Sequence, residues 1–499
     1  MNVLSQTEIV ALIDKKDYRA AMDLCLQNLA QQPDCFASLS NAATSALLLN
    51  EYDKAIDFAL KILPIKQDLI NAYDVLSHAY GCKLDWWRSS RYGAESLRLR
   101  DMEIVSKYAQ LPELPDENIR QPEKRHLQII SFSLYGNDSS YVETAVLNAE
   151  LAPQIYPDWV CRFYVDETVS PIAITRLLQA GAQVVHIPDN IRHWAKTMWR
   201  FLPLTENDVA RVIFRDADSV ISQREAKAVR DWVASGKMFH LLRDGGSHTE
   251  LILAGLWGAV GGAIPDFHNR INHYLNNVPV HPRFADQYFL REHVWLFARQ
   301  SVCTHDRIFG FAGSLDFPAD TFSNFEITHV GKDEGDYPVI INMDKPDGTE
   351  IDWTLRSRVS PLWNEDYSLN VLPEMRKICT YRAVLRDGKA VAHIPQRYHQ
   401  GMGELGHTVV DVHLVGENYT PDEFTVNIDK PDGTAYTCVV RSQLPPVPDE
   451  RGYYQFAPER EVLRFHATVQ NGKFSHRLPE SQYFGLNNQG LTEISLYDN

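Results

Sequence analysis

Nine residues occur twice in the last third of the chain. Ile341-Asn342-Met343-Asp344-Lys345-Pro346-Asp347-Gly348-Thr349 and Val426-Asn427-Ile428-Asp429-Lys430-Pro431-Asp432-Gly433-Thr434 agree at seven of nine positions, 85 residues apart. A duplication of this kind requires two copies of one small unit, and its content says which kind. Pro-Asp-Gly encodes a tight turn: proline presets φ, aspartate bonds its own backbone, and glycine accepts the left-handed position. The flanking residues alternate strand and turn signals without helical periodicity. Gly388-Lys389 and Gly472-Lys473 fall at nearly the same offset, as do Tyr398 and Tyr483. Two tandem all-β modules are therefore expected, over 334–416 and 417–499, each a small sandwich or barrel.

A second repeat runs through the first fifth of the chain. Asp17-Tyr18-Arg19-Ala20-Ala21-Met22-Asp23-Leu24 lines up with Glu51-Tyr52-Asp53-Lys54-Ala55-Ile56-Asp57-Phe58 at an offset of 34. Tyr18/Tyr52, Ala21/Ala55, Leu26/Leu60 and Asp34/Asp68 stay in step. Phe36, Leu39, Ala42, Ala43 and Leu47 supply a partner helix, and Ile70, Ala72, Leu76 and Ala79 repeat it. A degenerate third unit surrounds Trp86, Trp87, Ala94 and Leu97. The segment 1–110 resembles tetratricopeptide repeats, which implies an α-helical stack. Such a stack offers a concave face to a protein partner, props the next domain, or makes a dimer contact. Leu111-Pro112-Glu113-Leu114-Pro115-Asp116-Glu117 reads as a linker.

With 499 residues the chain exceeds one ordinary core. The region between the repeats, 125–333, alternates strands with helices, as a mostly parallel sheet requires. One strand, Val212-Ile213-Phe214, runs into Asp216 and Asp218. Residues two apart on a strand share a side, so both carboxylates face one spot. Like charges so held repel unless a cation joins them, and hard oxygens suit Mn2+ or Mg2+. There is no Gly-x-x-x-x-Gly-Lys-Ser/Thr loop and no Gly-x-Gly-x-x-Gly. A net charge of −16 disfavours nucleic acid and anionic membranes as partners. No apolar run is long enough for a transmembrane segment, and no secretory leader is visible at the N-terminus. Seven scattered cysteines without a Cys-x-x-Cys pair point to reduced thiols and a cytoplasmic location.

The central region resembles glycosyltransferases of the GT-A fold, a Rossmann-like α/β class. The resemblance rests on Ser133 and Tyr135 at the first strand, Phe163-Tyr164-Val165-Asp166, Arg200 in Trp199-Arg200-Phe201, and the Asp216-x-Asp218 pair. Ala254-Gly255-Leu256-Trp257-Gly258, Asp286-Gln287 and Thr328-His329-Val330-Gly331-Lys332 follow in order. In the retaining family-8-type members the metal is held by the paired carboxylates and a late histidine, and a Gly-x-Lys meets the diphosphate. The resemblance thus implies Asp216, Asp218 and His329 as metal ligands. It implies Ser133, Tyr135, Asp166, Arg200, Asp216 and Lys332 as the nucleotide-binding set. The family pattern continues Lys-Pro-Trp, where this chain reads Lys332-Asp333-Glu334.

The implied activity is transfer of a sugar from a nucleotide-sugar, with UDP as the expected nucleotide, to a glycan, protein or other hydroxyl acceptor. An inverting reaction needs a carboxylate base, for which Asp244 and Asp286 are the candidates. A retaining one would use Gln287, where related enzymes carry an amide. Trp257, among glycines, is a candidate to stack on a sugar or a core anchor. His305 and Asp306 are candidates for the acceptor, or His305 replaces His329 as ligand. Lys196 faces phosphate or is the polar side of its helix. In the β-modules Trp353, Trp363, Tyr453 and Tyr454 bind a glycan or partner, or fill a core. The rival reading is a catalytically inactive scaffold that works through its repeats and β-modules, with or without self-association. A third class, phosphoryl transfer, predicts more carboxylates around Asp216.

Overall fold

The computed structural model describes residues 3–116, 125–277, 284–318, 329–333, 337–359, 374–415, 423–443, 445–477 and 492–498. Glu117, Thr328, Glu334, Trp363 and Tyr483 lie outside the described residues. Six helices come first: α1 (Val3–Asp14), α2 (Tyr18–Gln31), α3 (Phe36–Leu48), α4 (Tyr52–Ile62), α5 (Ile70–Cys82) and α6 (Trp86–Val105). The 34-residue period is written in the backbone. Lys16, Asn50 and Leu84 are left-handed, with φ of 62°, 59° and 59°. After each of them, the N–H of Asp17, Glu51 or Asp85 reaches back to Leu12, Ala46 or Tyr80 at 2.8–2.9 Å and closes the helix end. Asp17 and Asp85 then cap the next helix by accepting the N–H of Ala20 and Arg88. The helix α1 therefore occupies the second-helix position of a repeat. Buried alanines at 21, 43, 46, 55, 59 and 79 let the helices approach closely.

The chain continues through β1 (Leu127–Leu134), α7 (Ser139–Ile155), β2 (Val160–Val165), α8 (Pro171–Gln179) and β3 (Gln183–His186). A 3₁₀ stretch, Lys196–Thr205, precedes β4 (Val209–Phe214), α9 (Gln223–Ser235), β5 (Phe239–Arg243) and β6 (Trp257–Val260). Then come α10 (Phe267–Asn277), α11 (Ala285–Phe289), α12 (Trp295–Ala298) and β7 (Val302–Asp306). Pro203 lies inside the 3₁₀ stretch, where its missing N–H removes one backbone hydrogen bond.

The fold parts into two units that interleave in sequence. The first holds Met1–Gln128, Phe201–Arg215 and Ser222–Gly331. Its strands run in the order β4-β6-β5-β7, with β6 antiparallel to both neighbours and β5 parallel to β7. The helical repeats pack onto this unit's own α/β part. Ser77 Oγ donates to the Gly246 carbonyl at 2.7 Å. Arg100, almost fully buried, pairs with Asp74 at 2.7 Å and Glu250 at 3.2 Å. Asp101 accepts from the Trp295 indole at 2.7 Å and Arg299 at 3.0 Å.

The second unit holds Ile129–Arg200, Asp216–Ile221 and Lys332–Asn499. Its parallel strands run β3-β2-β1, with Ser133 level with Tyr164 and Tyr164 level with Val185. The remainder is β8 (Tyr337–Asn342), β9 (Glu350–Ser357), β10 (Arg376–Val384), β11 (Lys389–Ile394), α13 (Gln396–His399) and β12 (Thr408–Leu414). The second copy follows as β13 (Glu423–Asn427), β14 (Ala435–Ser442), β15 (Val447–Pro448), β16 (Tyr454–Gln455), β17 (Arg460–Thr468), β18 (Lys473–Arg477) and β19 (Thr492–Asp498).

The duplication extends to the pairing of every strand but two. The sheets β10-β9-β12 and β11-β8 recur as β17-β14-β19 and β18-β13. The turns match bond for bond: Gly348 N–H to Leu385 O and Gly433 N–H to Val469 O are both 2.9 Å. The hydroxyls of Thr349 and Thr434 both donate to the proline carbonyl three residues back at 2.7 Å. Core positions recur too, as Ile351, Leu355 and Leu385 against Tyr436, Val440 and Val469. Trp353 is a core residue stacked on Tyr381, with ring centroids 5.2 Å apart, and so presents no face for a glycan. The pair β15–β16 has no described counterpart in the first copy.

Candidate active site

In the second unit the paired carboxylates sit on a turn held from behind. Asn148, fully buried on α7, donates to the Ser219 carbonyl at 2.8 Å and accepts the Ile221 N–H at 2.9 Å. Ser219 also makes an antiparallel bridge with Asp333. Asp216 is half exposed and ion-paired with Arg200, whose own side chain is buried. Arg200 is fixed through its main chain: Ser133 Oγ accepts its N–H at 3.0 Å, and Ser131 Oγ donates to its carbonyl at 2.6 Å. Burial, with the charges of Asp216 and Asp333 added, pushes Asp218 up to about 6, against the pull of Arg200. The Tyr141 phenol is raised to about 12 by burial and by the charge of Asp218.

Beside this turn, at the ends of β1 and β2, lies a second polar group. Lys196 pairs with Asp166 at 2.6 Å and stands 5.1 Å from the Tyr135 ring centroid and 5.6 Å from that of Trp199. Burial would raise the Asp166 carboxyl, but hydrogen bonds from Lys196 and Thr168 hold it below its ordinary value. Tyr135 meets Trp199 edge-on at 6.0 Å and remains exposed. The second unit thus assembles Ser133, Tyr135, Asp166, Arg200, Asp216 and Asp218 from the expected set. Lys332 belongs to the same unit and is half buried beside Asp333.

The other expected residues belong to the first unit, where their partners are internal. Asp244 is buried in a two-pronged pair with Arg224 and accepts the Val330 N–H at 3.1 Å. Burial raises its carboxyl in spite of Arg224. Gln287 has both ends of its amide engaged, accepting from Ala254 N–H at 3.1 Å and donating to the Ile252 carbonyl. Asp286 is buried and accepts the Gln287 N–H at 2.8 Å. Trp257 is fully buried, stacked on Phe214 at 4.3 Å and edge-on to Phe201 at 5.6 Å; of the two readings offered for it, the structure places it as a core anchor. His305 is buried with Nδ1 3.0 Å from His240 Nε2. Asp306 caps a turn through the N–H groups of Ile308 and Phe309. His329 packs edge-on against His248 at 4.9 Å, with its Nδ1 3.0 Å from the Val330 carbonyl oxygen. Burial, with His329 beside it, pushes His248 well below its ordinary value.

Among the described residues no three His, Cys, Asp or Glu side chains gather as a ready metal cage. The carboxylate pair still fits a divalent ion of one kind. Mg2+ and similar ions are commonly held by one or two carboxylates, with substrate phosphates and water completing the shell. A carboxyl raised by neighbouring carboxylates gains from such a cation. Sequence reasoning missed Asn148 and Asp333 as parts of this turn. A lone amide within the apolar run Ala145-Val146-Leu147-Asn148-Ala149 was the available signal for the first; nothing local marked the second.

No family model matches the chain, and no curated protein matches it. Among solved structures it is similar to the tetratricopeptide domain of Sgt2 from Aspergillus fumigatus, at 20% identity and a TM-score of 0.19, over 22% of this chain and 85% of that one. It is similar to a mutant O-GlcNAc transferase of Thermobaculum terrenum, at 14% identity and 0.23, over 42% and 45%. It is similar to an active-site mutant of LgtC, at 17% identity and 0.24, over 36% and 73%. These likenesses are slight, and the site stands on its own residues. Among the described residues no helix is long and apolar enough to cross a membrane.

Proposed function

We propose that the protein is a metal-dependent glycosyltransferase of the GT-A type that draws on a nucleotide-sugar, with a UDP-sugar as first choice, and passes the sugar to a hydroxyl of a glycan or protein. The observation that supports this reading is the turn Asp216-Ala217-Asp218, pinned by Asn148, with one carboxylate on Arg200 and the other raised to about 6. Mn2+ or Mg2+ held by Asp216 and Asp218 would supply Lewis-acid neutralisation of the diphosphate. Arg200 is fixed at its backbone and its guanidinium is paired with Asp216, so it would lie beside a diphosphate bound at the carboxylate pair and help to neutralise it. Lys332 adds a second positive charge in the same unit. Tyr135, Asp166 and Lys196 form the nucleoside end, an exposed ring beside a carboxylate whose proton Lys196 keeps off.

The test is thermal stabilisation and donor hydrolysis with a panel of UDP-, GDP- and CMP-sugars, with and without Mn2+. Stabilisation by one nucleotide only when Mn2+ is present, lost in Asp218→Asn, is the expected result. Failure of every nucleotide to bind with Mn2+ overturns the reading and favours the scaffold. Hydrolysis that persists in Asp218→Asn overturns the metal assignment alone.

A further inference from the structure

The second β-module carries a hairpin, β15–β16, that reaches back to the parallel strands of its own unit. Asp449 shapes its turn, accepting the N–H groups of Arg451 at 2.9 Å and Tyr453 at 3.0 Å. Gly452 then delivers its carbonyl to the His186 N–H at 2.8 Å. No other residue fits there: its φ is +87°, and a Cβ would lie 2.8 Å from the His186 carbonyl oxygen. Tyr453 bridges Val185 in antiparallel fashion, under the Arg162 guanidinium at 5.5 Å. The hairpin therefore docks on the outer side of β3 through one bridge and one backbone hydrogen bond. The next residue, Tyr454, has its ring centroid 6.1 Å from that of His186. His186 is level with Val165, the residue before Asp166. Burial and the charges of Glu167 and Asp166 raise the Tyr454 phenol.

We propose that the second β-module takes part in nucleotide recognition, its hairpin clamped on β3 so that Tyr454 is a specificity-determining residue for the nucleoside part of a nucleoside diphosphate ligand. The inference rests on the function proposed above and adds a residue from a module that the donor chemistry does not otherwise need. A phenol suits the role, since its ring takes the flat face of a base or ribose and its hydroxyl hydrogen-bonds at the edge. Asp166, Tyr135 and Lys196 approach from the strand ends, and Tyr454 approaches from the β3 side.

The experiment separates base from phosphate. The full-length protein and its Tyr454→Ala, Tyr454→Phe and Gly452→Val variants are titrated calorimetrically with UDP and with inorganic pyrophosphate, Mn2+ present throughout. Tyr454→Ala should bind UDP roughly ten-fold more weakly and pyrophosphate as the unaltered protein does. Tyr454→Phe should recover most of the loss, and Gly452→Val, which dislodges the hairpin, should reproduce it. Unchanged UDP affinity in Tyr454→Ala, or parallel loss of both ligands, overturns the inference and leaves the proposed function standing. If the unaltered protein binds neither ligand, the proposed function fails and this inference falls with it.

Discussion

Asp218 is a carboxylate under pressure, and the pressure has a measurable sign. Its ordinary value is 3.8 and its folded value about 6, raised first by burial and then by Asp216 and Asp333. The folded chain therefore holds this proton more tightly than the unfolded chain. The stabilisation so gained is complete below about pH 4 and is lost as pH rises through about 6. At pH 8 the ionised side chain is a net cost, which Asp218→Asn removes. Without divalent metal, the Asn variant should be about 1–3 kcal/mol more stable than the unaltered protein at pH 8, and equal to it near pH 4. Urea midpoints at the two pH values measure this; a gain of the same size at both would mean that the carboxyl is not raised. Added Mn2+ should reverse the order at pH 8, because only the carboxylate pair gains a cation.

Elements differ in how much of themselves a sequence declares. The helical repeats were legible because each copy encodes its own period, the 34-residue offset that keeps Tyr18 and Ala21 in step with Tyr52 and Ala55. The β-modules were legible for the same reason, through Pro-Asp-Gly turns that make identical bonds in both copies. The clamp of Asn148 on the Asp218 turn, the bridge of Ser219 with Asp333, and the hairpin on β3 were not legible. They depend on which residues of distant segments come level with one another, and no local period records that. Trp257 and Trp353, both buried, stood open between site and core, since an aromatic among glycines or turns reads the same in either place. The repeat turns also carry a local fault. Left-handed backbone suits asparagine at position 50, but Leu84 holds it with φ 59° and an exposed side chain. Leu84→Asn should therefore stabilise the repeats by about 1 kcal/mol, read as a higher urea midpoint with unchanged cooperativity. A lower midpoint would mean that the leucine side chain earns its place by a contact.

At the scale of the whole molecule, the open question is whether the helical repeats are an arm or a foundation. An arm that only captures a partner would share few buried groups with the unit that carries it. Here the shared groups are numerous and polar. Arg100 is buried between Asp74 and Glu250, and burial raises the Glu250 carboxyl in spite of Arg100. Gly93 faces the Phe309 ring so closely that a Cβ would stand 2.1 Å from it. A Cβ on Gly246 would stand 3.0–3.1 Å from Ser77, Ser89 and Gly81. Removal of residues 1–110 would leave Glu250 with Arg291 alone, at 3.4 Å, and the Trp295 indole and Arg299 without Asp101, and each buried polar group left without its partner costs about 1–3 kcal/mol. The foundation reading therefore predicts that the 111–499 chain loses the cooperative unfolding of the first unit. It also predicts that Gly93→Ala, which deletes nothing, lowers stability by about 1–3 kcal/mol through overpacking against Phe309. Chemical denaturation followed by tryptophan fluorescence tests both, since Trp232, Trp257 and Trp295 are buried in that unit. A shortened chain with an unaltered midpoint would identify the repeats as an appended arm and return partner capture as their first role.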